Sequence, residues 1–444
     1  MPSLIGHLRQ ELRPMLRLAA PLALAELGWM AMGIADTIMA GPLGAAAVGA
    51  GTLGNMIYYP VVVTGIGLLL GMDTLVAQSF GARDPRECRR TLIAGWWLGL
   101  LLMGPLMLLI RASIPVLYAA GANPHVMRHC APYMLALLWS IPAMVAFTAL
   151  RRYLQAVDIV KPVTFALVSA NLVNLLGDWV LMYGHWGAPA MGLAGSGWST
   201  SLARLYMAAV LAGAVLWNER RTGNRLFHLC WKPDWARIRR LAELGLPAAG
   251  QIGFEGAIFG VVTVLVARLD EVSLAAHSIA VQVISTSFMV PLGISSAAAV
   301  RVGQALGRKD HAAAARAGWT ALLLSGVCMG SVGVLLLVAP GEVVRWFIRD
   351  PAVIAAGAVL LRIAAFFELF DGFQVVATGA LRGAGDTRSP MLVHLVGYWG
   401  FGMPVACVLC FRYGWGAPGI WTGLSLAIIL IGSALLVVWR KRAA

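Results

Sequence analysis

VAQSFGARDP at residues 76–85 returns at residues 302–311 as VGQALGRKDH, identical at four of ten positions after an offset of 226. Two further echoes follow in the same order. QAVDIVKP from Gln155 meets GAGDTRSP from Gly383 with Ala, Asp and Pro in register, and YGHWGAP from Tyr183 meets YGWGAP from Tyr413 with His185 as the single extra residue. Three collinear matches mark an internal duplication, and a long-period repeat bounds the architecture before any local feature does.

Hydropathy says what is duplicated. Of 444 residues 59% are apolar and 12% charged, with mean hydropathy +0.78, a balance that excludes an ordinary soluble enzyme. Apolar runs of about 20 residues, each able to cross a hydrocarbon core as a helix, recur twelve times. They lie near 18–40, 51–80, 91–117, 129–150, 162–183 and 191–217, then near 241–267, 274–300, 317–338, 353–381, 390–411 and 419–439. Their length fits helices rather than the short alternating strands of a barrel. The expected fold is therefore an all-α integral membrane protein of twelve transmembrane helices in two six-helix repeats. Residues 1–217 would form an N-terminal lobe, 218–240 a cytoplasmic linker loop and 241–444 a C-terminal lobe. Six is even, so both repeats enter the membrane in the same sense and are parallel.

A net charge of +14 would suit a nucleic-acid partner, but 26 of the 34 Lys and Arg fall in the terminal segments and alternate loops. That is the positive-inside pattern, and it puts both termini and the 218–240 loop in the cytoplasm. No nucleic-acid partner and no removable signal peptide are expected. The six cysteines show no metal spacing beyond Cys407 and Cys410, which lack a supporting histidine.

Acids inside membrane spans are costly and hence functional candidates. Asp36 and Asp178 lie at similar depth in the first and fifth spans, and Asn174 shares a helix face with Asp178. In the second half Glu255 sits in the seventh span and Asp371 in the tenth, with Glu368 one turn away. Glu26 and Asp73 lie nearer an interface. The alternative role for such acids is to pair with intramembrane Arg204 or Arg362 and fix packing. Pro21 and Pro247, early in the first span of each half and at the repeat offset, are candidate hinges.

PLALAELGWMAMGIADTIMAGPLG (21–44), GMDTLVAQSFGARD (71–84) and ALRGAGDTRSP (380–390), with the duplicated six-helix layout, resemble the multidrug and toxic compound extrusion (MATE) transporters, in particular the NorM-like group. The resemblance covers the whole chain. It implies two V-shaped lobes in a bacterial inner membrane, a monomer, and export of small organic cations such as drugs and dyes in exchange for Na+ or H+. By motif position Asp36, Asn174, Asp178, Thr200 and Tyr133 match the family's N-lobe cation cluster, and Glu255 and Asp371 match its C-lobe acids. A coupling Na+ would then sit at Asp36, Asn174 and Asp178, or at Glu255 and Asp371.

Together these point to alternating-access antiport, in which drug and coupling ion compete for a carboxylate. A lipid-linked precursor flippase is the alternative within transport. It calls for a strongly basic cavity, for which only Arg204 and Arg362 are candidates. A membrane enzyme would need a nucleophile, base or metal constellation at one face, and isolated His277 and His394 supply none. No cofactor is expected beyond the coupling ion.

Overall fold

The computed structural model describes residues 4–221 and 231–443, with side chains from residue 11 onward. Cys230 and the middle of the 218–240 loop lie outside the described residues. Among the described residues all regular structure is helical. Helix α1 spans Leu4–Ala40, and α2 (Ala45–Gly67) passes through a 3-10 turn into α3 (Gly71–Gly81). Helices α4 (Pro85–Ala119), α5 (Pro124–Leu138), α6 (Ser140–Ala156), α7 (Lys161–Tyr183) and α8 (Leu193–Arg221) complete the first half. The second half holds α9 (Trp235–Val266), α10 (Glu271–Gly307), α11 (His311–Val338), the short α12 (Pro340–Arg345), α13 (Pro351–Gly383), α14 (Arg388–His394), α15 (Met403–Cys407) and α16 (Gly416–Ala443).

Eleven of these segments are long and apolar enough to cross a membrane singly, and the pair α5–α6, bent by 42°, supplies the twelfth. The expected continuous span at 129–150 is thus broken at Trp139. The cause is Pro142, whose missing N–H and bulky ring forbid a helical bond to the Leu138 carbonyl. Large apolar side chains such as Leu108, Leu172 and Val338 face outward, as a lipid-exposed surface requires.

The repeat is visible in backbone detail. Arg83 (φ +60°) and Lys309 (φ +61°) occupy the same left-handed position before an aspartate that caps the next helix. Asp84 accepts from the Glu87 amide at 2.9 Å, and Asp310 from the Ala313 amide at 2.8 Å. The second echo needs a correction of one residue. The left-handed residues there are Asp158 (φ +70°) and Gly385 (φ +83°), so Asp158 is structurally equivalent to Gly385 rather than to Asp386.

The chain forms two compact units. One comprises Leu24–Ala249, and the other the residues up to Ala23 together with Gly250–Ala444. Helices α1 and α9 therefore each pass from one unit to the other, two residues beyond Pro21 and Pro247. The exchange follows the repeat. In the first unit Gly67 of α2 packs on Ala249 so closely that a Cβ would lie 2.9 Å from the Ala249 Cα. In the second, a Cβ on Gly293 of α10 would lie 2.4 Å from the Ala23 nitrogen. Gly293 follows Gly67, and Ala249 follows Ala23, at the offset of 226. Small residues at both crossings let backbones touch, which is how helices associate in lipid.

Candidate functional site

Within the Leu24–Ala249 unit, α1, α7 and α8 bring four of the expected residues together. Thr200 Oγ1 donates to Asp36 Oδ2 at 3.4 Å, while Asp178 and Asn174 adjoin the Asp36 carboxyl. Asn174 Nδ2 donates to Ser199 Oγ at 3.2 Å, and Ser199 Oγ donates in turn to the Asn174 carbonyl at 2.7 Å. The amide nitrogen is thereby fixed on α8, leaving Asn174 Oδ1 without a donor. Asp36 Oδ1 and both oxygens of Asp178 are also buried and without a hydrogen-bond partner. Ionised carboxylates only accept, so neighbouring Asp36 and Asp178 cannot satisfy each other. Four buried oxygens that close no hydrogen bond, with the Ser196 and Ser199 hydroxyls beside Asp178, are an unfavourable arrangement that a proton or a hard cation would relieve. Tyr133 is buried in the same unit but donates to Asn55 Oδ1 at 3.1 Å, with no hydrogen bond to Asp36.

The second unit carries its own polar cluster. Gln251 Nε2 donates to Glu255 Oε2 at 3.1 Å, and Gln374 Nε2 donates to Asp371 Oδ1 at 2.7 Å and to the Tyr398 hydroxyl at 3.1 Å. Glu255 and Asp371 lie within electrostatic reach of each other and of Tyr398. Tyr398 comes from a π-helical stretch, Leu395–Gly402, that follows α14. Pro404, which cannot bond back to the Gly400 carbonyl, accounts for this departure from α geometry. Glu368, one turn before Asp371 and within its electrostatic reach, is held by Ser287 Oγ at 3.3 Å.

Two of the acids are ion-paired, but with neither Arg204 nor Arg362, the expected partners. Glu26 is ion-paired with Arg151, and Asp73 with Arg152 at 3.3 Å. Arg204 instead donates to the Tyr58 hydroxyl and to Ser140 Oγ, and Arg362 is exposed with no ion pair among the described residues. His277 is saturated as a neutral ring. Trp421 Nε1 donates to its Nδ1 at 3.1 Å, leaving Nε2–H for Thr263 Oγ1 at 3.0 Å. Among the described residues no three His, Cys, Asp or Glu are grouped to hold a metal ion, so any cation here would also need amide, hydroxyl or phenol oxygens. Asn55, Ser199, Gln251, Gln374 and Tyr398 escaped the sequence reading because a neutral polar side chain in a helix carries no large penalty to flag it.

Comparison with known proteins adds three findings. The family model described as MatE matches residues 21–180 and 247–408, two segments that begin at the repeat offset. A probable multidrug resistance protein NorM of Mesorhizobium japonicum is 38% identical over 98% of this chain and 94% of its own length. Its namesake in Pseudomonas aeruginosa is 36% identical over 99% and 90%. Among solved structures, the eukaryotic MATE transporter AtDTX14 superposes with a TM-score of 0.89 at 20% identity, covering 98% of both chains. A MOP superfamily transporter from Pyrococcus furiosus superposes with 0.88 at 17% identity, over 99% of this chain and 97% of its own.

Proposed function

This chain belongs to the MatE family of membrane transporters, and from that premise we propose that it exports organic cations from the cytoplasm by antiport with Na+ or H+. The observation that carries the reading is the group of buried oxygens on Asp36, Asn174 and Asp178 that close no hydrogen bond. Such a group attracts one positive charge and is crowded by two. An incoming ion that neutralises Asp36 and Asp178 weakens their hold on a cationic drug, and the drug's arrival in turn expels the ion. Exchange follows from competition, with no further device.

Glu255 and Asp371 form a second acidic pair with the same competence, and Gln251 and Gln374 orient it. Pro21 and Pro247 are the points at which α1 and α9 would flex as access alternates. Basic residues concentrated in alternate loops support cytoplasmic termini in a bacterial inner membrane, and the exporter would act as a monomer embedded in lipid. A flippase for lipid-linked precursors is not favoured: the buried clusters are acidic, with Arg204 the single basic group beside them.

Drug efflux driven by imposed Na+ or H+ gradients in inverted vesicles tests the proposal. Asp36→Asn should abolish coupled export, and Glu255→Gln or Asp371→Asn should reduce it at least tenfold if the second pair carries ions. Unchanged coupled efflux in all three variants would overturn the acid-based mechanism.

A further inference from the structure

Cys407 and Cys410, singled out by their spacing, take part in neither acid cluster. Both are free thiols, and among the described residues no third His, Cys, Asp or Glu joins them. The fold brings up a different partner. Cys407 Sγ donates to Met403 Sδ at 3.8 Å, and Cys410 lies within electrostatic reach of Cys407. Met403 and Cys407 are the two ends of α15, and Cys410 belongs to the π-helical stretch Val408–Arg412 that follows. Spacings of four and three set each sulfur one turn from the next along one side of the segment.

The placement of that side suits a ligand. Val408 and Phe411 face outward and Ala406 and Cys410 inward, while Met403 and Cys407 are half-buried at the border. An ion therefore has a way in, and α16 backs the site. A Cβ on Gly419 would lie 2.9 Å from the Cys410 nitrogen, and one on Gly423 would lie 2.5 Å from the Ala406 Cα, so the backbone that carries the sulfurs is pressed against a neighbouring helix.

One thiol on one thioether is ordinary packing. Three sulfurs in successive turns, with no nitrogen or oxygen side chain between Met403 and Cys410, are a donor set of a single chemical kind. Sulfurs that share an ion through bonds of about 2.3 Å stand about 4 Å apart in a three- or four-coordinate site. Met403 and Cys407 already have that separation. Hard cations call for oxygen, and structural zinc calls for four ligands. Thiolate together with thioether selects Cu+.

We propose that Met403, Cys407 and Cys410 form a three-sulfur site for a soft monovalent cation, Cu+ or its analogue Ag+. Each thiol gives up its proton on ligation, so one Cu+ enters as two protons leave, and neither copper nor sulfur changes oxidation state. Met403 contributes a lone pair and no proton. The site is independent of the acids proposed for coupling.

The test is anaerobic competition between the purified, reduced full chain and a chromophoric Cu+ chelator, for wild type, Cys407→Ser, Cys410→Ser and Met403→Leu. X-ray absorption at the copper edge is recorded on chains loaded with one equivalent. Wild type should take up a Cu+ that each serine variant fails to hold. Met403→Leu should weaken binding about tenfold or more, the scale on which even supporting residues of a metal site act. The spectrum should show three sulfur neighbours in wild type and two in Met403→Leu. Copper retained equally by both serine variants, or fewer than three sulfur neighbours in wild type, would overturn the assignment. Met403→Leu conserves volume and should melt as wild type does without metal, and the wild-type spectrum decides the matter if a serine variant does not fold.

Discussion

Asp178 is the residue on which stability and function should part most clearly. Both its oxygens are buried and close no hydrogen bond, beside a second carboxyl and with only the Ser196 and Ser199 hydroxyls near, so as an ionised group it weakens the fold that houses it. Asp178→Asn removes that charge and adds two donors for the oxygens of Asp36 and its neighbours. The variant should melt at least as high as wild type, while losing tenfold or more of ion-driven export; a lower melting temperature with transport intact would mean the carboxylate is structural. His277 should behave in the opposite way. Replacing it with Phe leaves Trp421 Nε1 unpaired, while Thr263 Oγ1 keeps its bond to the Phe259 carbonyl, at a cost of about 1–3 kcal/mol. Thermal melts in detergent should show the loss, and the Na+ or H+ dependence of transport should stay as it was. Asp36, Asp178, Glu255 and Asp371 were legible in the sequence because an acid at membrane depth is rare and expensive. Their orienting partners were not, since Gln374 or Ser199 alone looks like any polar residue in a packed helix.

Elements were legible where hydropathy alone sets them, and illegible where a single backbone group does. The fifth span, expected at 162–183, is α7 at Lys161–Tyr183, and the tenth, expected at 353–381, is α13 at Pro351–Gly383. Pro142 and Pro404 do not interrupt an apolar run, so neither the bend at Trp139 nor the π stretch at Leu395–Gly402 leaves a mark on hydropathy. Close backbone contacts are equally hidden. On α9, a Cβ at Gly245 would lie 1.9 Å from the Leu68 carbonyl oxygen, deeper than any side-chain shift can relieve. Gly245→Ala should therefore cost roughly 1–3 kcal/mol, as overpacking does, and lower the melting temperature. Gly256→Ala on the same helix, where a Cβ would meet nothing within 4 Å, should leave it unchanged or raised. Equal effects at the two glycines would argue against the tight packing of α9 on the α2–α3 junction.

At the scale of the whole molecule, duplication and exchange are distinct facts. The sequence repeat pairs residue with residue at an offset of 226, yet the compact units divide α1 after Ala23 and α9 after Ala249. No hydropathy profile reveals such an exchange, because it depends on which helices Ala23 and Ala249 touch. Within this frame the two units have kept the backbone of a common ancestor and diverged in their acids: Asp36 and Asp178 in one, Glu255 and Asp371 in the other. The central claim is that a cationic drug and the coupling ion compete for the Asp36–Asp178 cluster. Ion release on drug binding to the purified protein tests this most directly, followed with a pH indicator in weak buffer and a Na+ electrode. Wild type should release protons or Na+ in proportion to drug bound, and Asp36→Asn should release markedly fewer. Drug binding that displaces neither ion in wild type would contradict competition at these carboxylates.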